Sequence, residues 1–398
     1  MRSVKEYLRI CVEMSGSDLH FKCDTGKIYV RVFGDLQELD EPHYKAKEFE
    51  EALFSMFTPQ QVERYHKDLD LDFALEIEGL ARFRGNAYQQ RSHTQAAFRV
   101  IPFDIQPMEE LMLPPAAYDF ITKPRGLVLV TGPAGSGKST SLAAMIDRIN
   151  RTQGVHIVTV EDPIEFVHED KMALVHQREL YEDTNSFYNA LKYVLRQDPD
   201  VILVGEMRDL ETIHQAITSA ETGHLVFATL HTVDAVQTVD RIIDVFPIHQ
   251  QQQIRMQLSV NLVGVISQTL VKRKDGTGRI AAFETLLATN AVRNLIRENR
   301  SYQIGSLIQT GARSKMQTLD QSLVKLIESG LVEYEEAKSK AKEPFEFDRL
   351  VALVSEGKDG KQRAPQPADP GPQVAADGTA QTSGGVRGQP NRPGYRKE

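Results

Sequence analysis

A glycine-rich run followed by a lysine and two hydroxyl residues has the residue types that bind phosphate groups. This phosphate loop (residues 132–140) consists of Gly132, Pro133, Ala134, Gly135, Ser136, Gly137, Lys138, Ser139 and Thr140. The order matches G-x-x-x-x-G-K-[ST], in which the glycines let successive backbone N–H groups curl around phosphate oxygens. Lys138 would contact the β- and γ-phosphates, and Ser139 would be a ligand of Mg²⁺. The loop therefore predicts a site for ATP and Mg²⁺.

The residues on either side supply the context that such a loop needs. Residues 126–131 are a continuous apolar run, typical of a strand buried on both faces. Residues 139–150 have the pattern of a helix, whose N-terminus favours anions. A glycine-rich turn that matched by chance would lack both elements, so a functional phosphate loop is the favoured interpretation.

Acidic residues follow a second apolar run, residues 155–160. They are Glu161, Asp162 and Glu165. Open α/β sheets bind ligands beyond the carboxyl ends of their strands, where a carboxylate can orient or deprotonate a water molecule. The alternative is a helix cap or a surface turn, which these residue types also favour.

A third apolar run, residues 201–205, ends at Glu206. A hydrophobic strand that ends in an acid is the Walker B pattern, in which the carboxylate holds Mg²⁺ or its water shell. Because many strands end in an acid, this interpretation depends on the presence of the phosphate loop.

Two histidines, His224 and His231, bracket the apolar run 225–230. His231, at the carboxyl end, could donate a hydrogen bond to the γ-phosphate. A lone histidine is more often a capping or packing residue, which is the favoured interpretation of either one taken by itself. Metal binding is disfavoured because no spacing of ligands accompanies them.

Arg82 and Arg84 lie two residues apart in the predicted strand 81–90, so they share one face of it. A pair of guanidinium groups suits the charge that spreads over the phosphoryl group in the transition state of transfer. A solvated basic face is equally compatible with this spacing.

The pattern of apolar residues divides the chain into an α+β region and an α/β region. In the first region, strands are predicted at 28–33, 71–77, 81–90 and 95–101, with a helix at 46–57. In the second, strands alternate with helices, which predicts a parallel sheet, and the pattern after Pro247 is mainly helical. The predicted divisions are 1–103, a linker at 104–115 within the proline-rich stretch 101–115, 116–354, and a disordered tail at 355–398.

Composition excludes several classes of protein. The formal net charge of −8 over 398 residues argues against nucleic acid as the main partner. Cys11 and Cys23 are too few for a disulfide framework or a four-cysteine zinc site. The first twelve residues do not have the pattern of a signal peptide, and no apolar run is long enough to span a membrane.

Four segments of the chain carry a resemblance to a known family. They are, in order, GPAGSGKST, EDPIEFVHE, DPDVILVGEMRDLET and AETGHLVFATLHT. This series resembles the secretion ATPase superfamily and, within it, the PilT-type twitching-motility ATPases, which drive type IV pilus retraction. The resemblance extends from about residue 4 to residue 352 and includes residues 16–20 and 316–320. Many relatives have threonine where this chain has Ala134, a tolerable change because backbone groups bind the phosphates.

The resemblance implies a ring hexamer with a RecA-like P-loop ATPase core and a PAS-like N-terminal domain. ATP hydrolysis at interfaces between subunits would move one domain against the other, with the linker as hinge. The implied partners are further copies of the chain, an inner-membrane pilus platform protein and a paralogous retraction ATPase, with no nucleic acid. The implied location is cytoplasmic, peripheral to the inner membrane.

The resemblance also assigns roles to residues. They are Glu161, Asp162 and Glu165 as the Asp box, Glu206 as the Walker B acid, His224 and His231 in the His box, and Arg82, Arg84 and Arg99 as arginines that reach nucleotide. Glu165 is the expected general base, although the choice between Glu165 and Glu206 is left open.

Residues 291–298 resemble the AIRNLIRE motif of retraction ATPases, with Val292 in place of isoleucine. Helical spacing places Val292, Leu295 and Ile296 on an inward face, and Arg293 and Arg297 on another. The motif predicts a helix that transmits force or contacts the pilus machinery. An ordinary amphipathic surface helix is the alternative.

Other members of the superfamily and two other classes of protein compete with this interpretation. Extension and type II secretion ATPases typically have a long N-terminal region and a four-cysteine zinc loop, whereas no cysteine follows Cys23 here. An accessory, PilU-like retraction ATPase is harder to distinguish. A DNA translocase is disfavoured by the acidic balance. A regulator with little turnover is disfavoured by the presence of Lys138, Glu165 and Glu206.

Overall fold

In the computed structural model, the backbone is described for residues 2–32, 34–41, 44–101 and 104–362, and side chains are described up to residue 354. Residues 1–351 form one compact unit. No helix in the described ranges is both long enough and apolar enough to cross a membrane.

The N-terminal part of the chain folds into an antiparallel sheet with helices packed against it. Its elements are α1 (Val4–Glu13), β1 (Gly16–Lys22), β2 (Lys27–Val32), β3 (Asp35–Glu38), α2 (Ala46–Phe54), α3 (Pro59–Asp68), β4 (Asp70–Ile77), β5 (Ala81–Gln90) and β6 (His93–Ile101). The described strands form a six-stranded sheet in the order β3-β2-β1-β6-β5-β4. The predicted strands 28–33, 71–77, 81–90 and 95–101 correspond to β2, β4, β5 and β6.

Aromatic packing on one face of this sheet decides which face carries the arginines. Phe21 packs against Phe49 and Phe98, with ring centroids 4.6 and 5.9 Å apart, and Phe83 is fully buried in the same cluster. Because successive residues of a strand face opposite sides, burial of Phe83 turns Arg82 and Arg84 to the other face.

The second part of the chain begins with α4 and contains a larger sheet. Its first elements are α4 (Pro115–Phe120), β7 (Gly126–Thr131), α5 (Lys138–Thr152), β8 (His156–Glu161), β9 (Leu174–Glu179), α6 (Phe187–Val194), β10 (Val201–Val204), α7 (Leu210–Glu221), β11 (Leu225–Leu230), α8 (Ala235–Asp244), α9 (Ile248–Asn261), β12 (Leu262–Lys272) and β13 (Arg279–Leu287). The described strands form a seven-stranded sheet in the order β13-β12-β7-β11-β10-β8-β9. Only β13 is antiparallel to its neighbour among these strands.

The prediction of a mainly helical region after Pro247 was wrong in part. β12 pairs in parallel with β7 and is buried over most of its length, and β13 returns beside it. Glycine and polar residues at Gly264, Ser267 and Gln268 interrupt the apolar run of β12, which obscured the strand in the sequence. The alternating region is therefore a mixed, mainly parallel α/β sheet.

Helices complete the described chain. They are α10 (Asn290–Arg297), α11 (Ile304–Thr310), α12 (Leu319–Glu328), α13 (Tyr334–Lys340) and α14 (Pro344–Gln362), with 3₁₀ turns at Ser301–Gln303 and Ala312–Ser314. The predicted tail 355–398 begins within α14, and residues 363–398 lie outside the described residues.

The proline-rich stretch 101–115 is only partly a free connection. Ile101 ends β6 and Pro115 begins α4, while residues 102 and 103 lie outside the described ranges. Met108 and Leu113 are buried in the hydrophobic cluster that contains α4 and β7. The second half of this stretch therefore packs with the larger sheet.

Candidate functional site

Four parallel strands of the larger sheet end at the same edge. The phosphate loop follows β7, residues 162–165 follow β8, Glu206 follows β10, and His231 follows β11. Because β7 and β11 pair from Gly126–Leu225 to Thr131–Leu230, the ends of these two strands are level. The parallel pairing thus collects most of the candidate residues at one place, which we call the nucleotide edge.

The phosphate loop has the backbone of an anion cradle. Gly132, Gly135 and Gly137 all have positive φ, at 144°, 73° and 87°. A Cβ atom on Gly132 would lie 2.3 Å from the carbonyl oxygen of Gln268, so only glycine fits there. The loop ends directly in α5, whose first residue is Lys138.

Strand β12 supports the loop from behind. Gln268 Nε2 donates a buried hydrogen bond of 2.7 Å to the Ser136 carbonyl, and the hydroxyls of Thr131 and Ser267 are 2.8 Å apart. Sequence analysis missed Gln268 and Ser267. Their available signal was the presence of two adjacent polar residues inside an otherwise apolar run.

The ammonium of Lys138 lies in the mouth of the loop. Nζ donates to the carbonyl oxygens of Gly132 at 2.9 Å and Pro133 at 3.2 Å, and lies 3.5 Å from His231 Nδ1. Burial lowers the pKa of Lys138, and the charges of Glu206 and Glu165 oppose that shift. Because His231 Nε2 lies 2.9 Å from Glu206 Oε1, the imidazole lies between this ammonium and the Glu206 carboxylate.

Glu206 is half buried, and its two carboxylate oxygens are held by the guanidinium of Arg208 and the imidazole of His231. Arg208 Nε lies 2.6 Å from Glu206 Oε1, Arg208 NH2 donates to Oε2 at 2.7 Å, and His231 Nε2 lies 2.9 Å from Oε1. Burial alone would raise the pKa of Glu206, but the hydrogen bonds and charge of Arg208 outweigh it and hold that pKa below its usual value. Sequence analysis missed Arg208, although its spacing of two from Glu206 was visible.

The predicted Asp box splits into three environments. Glu161 accepts hydrogen bonds from Thr159 Oγ1 at 2.6 Å and Gln177 Nε2 at 3.1 Å. Burial raises the pKa of Glu161 to about 7. Asp162 is exposed, and Glu165 is partly exposed with Arg84 3.8 Å from its carboxylate. Glu165 is therefore the member of this group that is open to water and also forms an ion pair with an arginine.

The three candidate arginines of the N-terminal sheet go to different partners. Arg84 NH1 lies 3.8 Å from Glu165, and Arg82 NH2 donates to Glu179 at 3.0 Å. Arg99 donates from Nε to Asp18 at 2.9 Å. Within one chain, the structure brings Arg84 to the nucleotide edge and Arg82 beside it, but not Arg99.

His224 lies at the other end of β11 from His231. Its backbone N–H donates to the Ser219 carbonyl at 3.2 Å, and its Nδ1 is 3.0 Å from the same oxygen. These contacts close the C-terminus of α7, where Gly223 has φ of 114°. Within the chain, the structure does not bring His224 to the phosphate loop.

The helix of the 291–298 motif is α10, capped by Thr289. Of the three residues predicted to face inward, Val292 and Ile296 are buried and Leu295 is partly buried against the same core. The two arginines of α10 differ. Arg293 NH1 donates to the carbonyl oxygens of Ser259 at 2.6 Å and Val260 at 2.5 Å, at the C-terminal end of α9. Arg297 is exposed. Arg293 therefore has a structural contact that helical spacing did not reveal.

Comparison with known proteins identifies the family. Residues 4–339 match the model of the type II/IV secretion system protein family. The chain is 53% identical over 312 residues to the twitching motility protein of Neisseria gonorrhoeae, covering 78% of this chain and 83% of that one. It is 48% identical over 344 residues to the type IV pilus retraction ATPase PilT of Pseudomonas aeruginosa, covering 86% and 99%.

The fold agrees with these relatives. A crystal structure of the pilus retraction motor PilT with bound ADP is 42% identical, with a TM-score of 0.80, and the match covers 88% of this chain and all of that one. The resemblance that the four motifs carried is thereby confirmed. The chain belongs to the type II/IV secretion system protein family, as a PilT-like pilus retraction ATPase.

Proposed function

We propose that the chain hydrolyses ATP at the nucleotide edge and uses the energy to retract type IV pili. One observation carries this proposal: Lys138, Glu206 and Glu165 follow the parallel strands β7, β10 and β8 at one edge of the sheet, and His231, after β11, lies between Lys138 and Glu206. The three positive-φ glycines leave space for phosphate oxygens where side chains would otherwise project. The loop geometry therefore fits a nucleoside triphosphate.

The residues at this edge also fit Mg²⁺. Ser139 offers a hydroxyl at the start of α5, and Glu206 offers a carboxylate whose ionised form is favoured. Oxygen donors of this kind are the ones that Mg²⁺ prefers. When bound, Mg²⁺ would neutralise charge on the β- and γ-phosphates.

The environments of the two acids support Glu165 as the general base. Arg208 and His231 occupy the oxygens of Glu206, so that carboxylate is a poor proton acceptor but a well-fixed ligand. Glu165 is partly exposed and has Arg84 at 3.8 Å. A water molecule bound between Glu165 and the γ-phosphate could transfer its proton to this carboxylate.

The assembly is proposed on the family resemblance and on the arginines. In a ring hexamer, a PAS-like N-terminal domain and a RecA-like core of neighbouring subunits would share each nucleotide. Arg99 pairs with Asp18 in its own chain, and His224 is remote from the phosphate loop of its own chain. We propose that both residues reach nucleotide across a subunit interface. We place the ring at the cytoplasmic side of the inner membrane, with a pilus platform protein and a paralogous retraction ATPase as partners.

Helix α10 is the proposed coupling element, and Arg297 is its exposed cation. Because Arg293 holds the end of α9, its removal would disturb packing as well as any external contact. Arg297→Ala is therefore the cleaner variant. It should retain ATPase activity and lose twitching, whereas loss of both would place α10 in the catalytic cycle.

A deletion strain tests the function directly. We expect cells without the gene to carry many surface pili and not to twitch, with recovery by the wild-type gene and not by Glu165→Gln. Cells without pili would indicate extension instead. Cells that retract normally under low load and fail only under high load would indicate an accessory motor.

A further inference from the structure

Glu179 is a buried carboxylate that none of the motifs includes. It is the last residue of β9, is 8% exposed and pairs in register with Glu161 of β8. A buried carboxylate is costly unless its oxygens have partners, so the partners indicate what it does.

One oxygen of Glu179 serves two parts of the proposed catalytic site. Glu179 Oε2 accepts a hydrogen bond of 3.1 Å from the backbone N–H of Ile164, the residue directly before Glu165. The same oxygen accepts a hydrogen bond of 3.0 Å from Arg82 NH2. Arg82 lies two residues from Arg84 on the same face of β5.

These contacts connect the segment that follows β8 of the larger sheet with β5 of the N-terminal sheet. The hydrogen bond to the Ile164 N–H holds the backbone directly before Glu165. The hydrogen bond to Arg82 holds the face of β5 that also carries Arg84. Arg84 and Glu165 in turn lie 3.8 Å apart. The side chain of Glu179 thus contacts a neighbour of each member of the Arg84–Glu165 pair.

We infer that Glu179 is a positioning residue, which sets the position of the base Glu165 relative to the face of β5 that carries Arg82 and Arg84. This inference rests on the proposed roles of Glu165 and Arg84. Glu179 touches no nucleotide-binding residue of the phosphate loop, so its effect should fall on turnover and not on nucleotide affinity.

The variants follow from the two hydrogen bonds. Glu179→Gln keeps an acceptor for the Ile164 N–H and loses the charge that holds Arg82, whereas Glu179→Ala loses both contacts. Glu182→Gln is the matched control, because Glu182 lies at the same junction and accepts a hydrogen bond of 3.0 Å from Gln61 instead of from Arg82 or Ile164. All variants are made in the full-length protein and first compared with the wild type by thermal unfolding.

Steady-state ATPase kinetics provide the readout. We expect Glu179→Gln to lower kcat about 10-fold, an ordinary coupling for residues in contact, with KM within about 2-fold of wild type. Glu179→Ala should lower kcat further, and Glu182→Gln should leave it unchanged. In an Arg82→Ala background, Glu179→Gln should have little additional effect, because its action passes through Arg82.

Two results would overturn the inference. One is wild-type kcat in both Glu179 variants while Glu165→Gln is inactive, which would leave the proposed function standing. The other is full additivity of Glu179→Gln with Arg82→Ala, which would mean that the carboxylate does not act through the arginine. Separately, if Glu165→Gln itself turned over normally, the proposed role of Glu165 as base would fail and the inference with it.

Discussion

The nucleotide edge differs from the face of the N-terminal sheet that carries Arg82 and Arg84, which we call the arginine face. The two regions position their charged groups in different ways. At the nucleotide edge, Lys138 and Glu206 closely follow buried strands, and Gln268 holds the loop backbone, whose positive φ angles glycines permit. On the arginine face, Arg82 and Arg84 are held by side-chain pairs with Glu179 and Glu165, far away in the sequence.

The difference has a physical consequence. Backbone held by a parallel sheet keeps its geometry unless the sheet unfolds, because neighbouring strands bond its peptide groups. The ion pair between the partly exposed side chains of Arg84 and Glu165 can exchange partners at much lower free-energy cost. The nucleotide edge is therefore suited to constant binding, and the Arg84–Glu165 contact is suited to being made and released during a cycle.

The largest effect is expected from Glu165, where the two regions meet. Glu165→Gln should lower turnover by about 10²–10⁴-fold, the range that a positioned base contributes, since the amide keeps the shape and cannot accept the proton. ATP affinity should remain near wild type. Purified-protein turnover and nucleotide binding measure this, with the exposed Glu169→Gln as control. Normal turnover would remove Glu165 from catalysis.

Loss of the fixed cation in the phosphate loop should be nearly as severe. Lys138→Ala removes the ammonium that the Gly132 and Pro133 carbonyls now hold, and should lower turnover by about 10³-fold. Folding should be unaffected, as thermal unfolding would show. Lys123→Ala, an exposed lysine before β7, is the control. Activity within a few-fold of wild type would contradict the phosphate-binding role.

Substitutions of the arginines of the N-terminal sheet should lower turnover to different extents. Arg84→Ala should lower turnover by about 10²-fold, the lower end for one positioned donor, with a smaller change in nucleotide affinity. Arg99→Ala should have less effect if each chain uses its own arginines, because Arg99 pairs with Asp18.

The same pair of variants tests whether the site is shared between subunits. Equal loss in both variants, together with turnover per chain that falls on dilution, would show that a neighbouring subunit supplies Arg99. Turnover independent of concentration would contradict catalysis at subunit interfaces.

The smallest effect concerns stability at the nucleotide edge. Burial raises the pKa of Glu161 from its ordinary 4.5 to about 7, so the folded protein holds this proton more tightly than the unfolded chain. This carboxyl therefore lowers the free energy of unfolding progressively as pH rises from about 4.5 to 7. Glu161→Gln, which resembles the protonated acid, should raise Tm by about 2–4 °C at pH 8 and by much less at pH 5.

Thermal unfolding at the two pH values measures this, with Glu169→Gln as the control for loss of one charge. An equal shift at both pH values would mean that packing and not ionisation is responsible.

The pattern of apolar residues was sufficient to predict the strands whose runs have clear ends in the sequence. Strands β5, β7 and β11 were predicted at the residues where they occur, because turns or glycines bound each apolar or alternating run. The signal failed at β12 and β13, where burial against β7 outweighed an irregular pattern. It also failed for Gln268, Arg208 and Glu179, whose importance lies in what they touch.

The sequence by itself determined the phosphate loop, the acids that follow each strand and the family, because these depend on residue order over short distances. Only the tertiary structure decided which arginine meets which acid, that His224 contacts the C-terminal end of α7, and that Arg293 holds α9. Those outcomes depend on pairing between strands and helices up to about 100 residues apart. A side chain's partner there is set by the packing of two sheets, which no short stretch of sequence specifies.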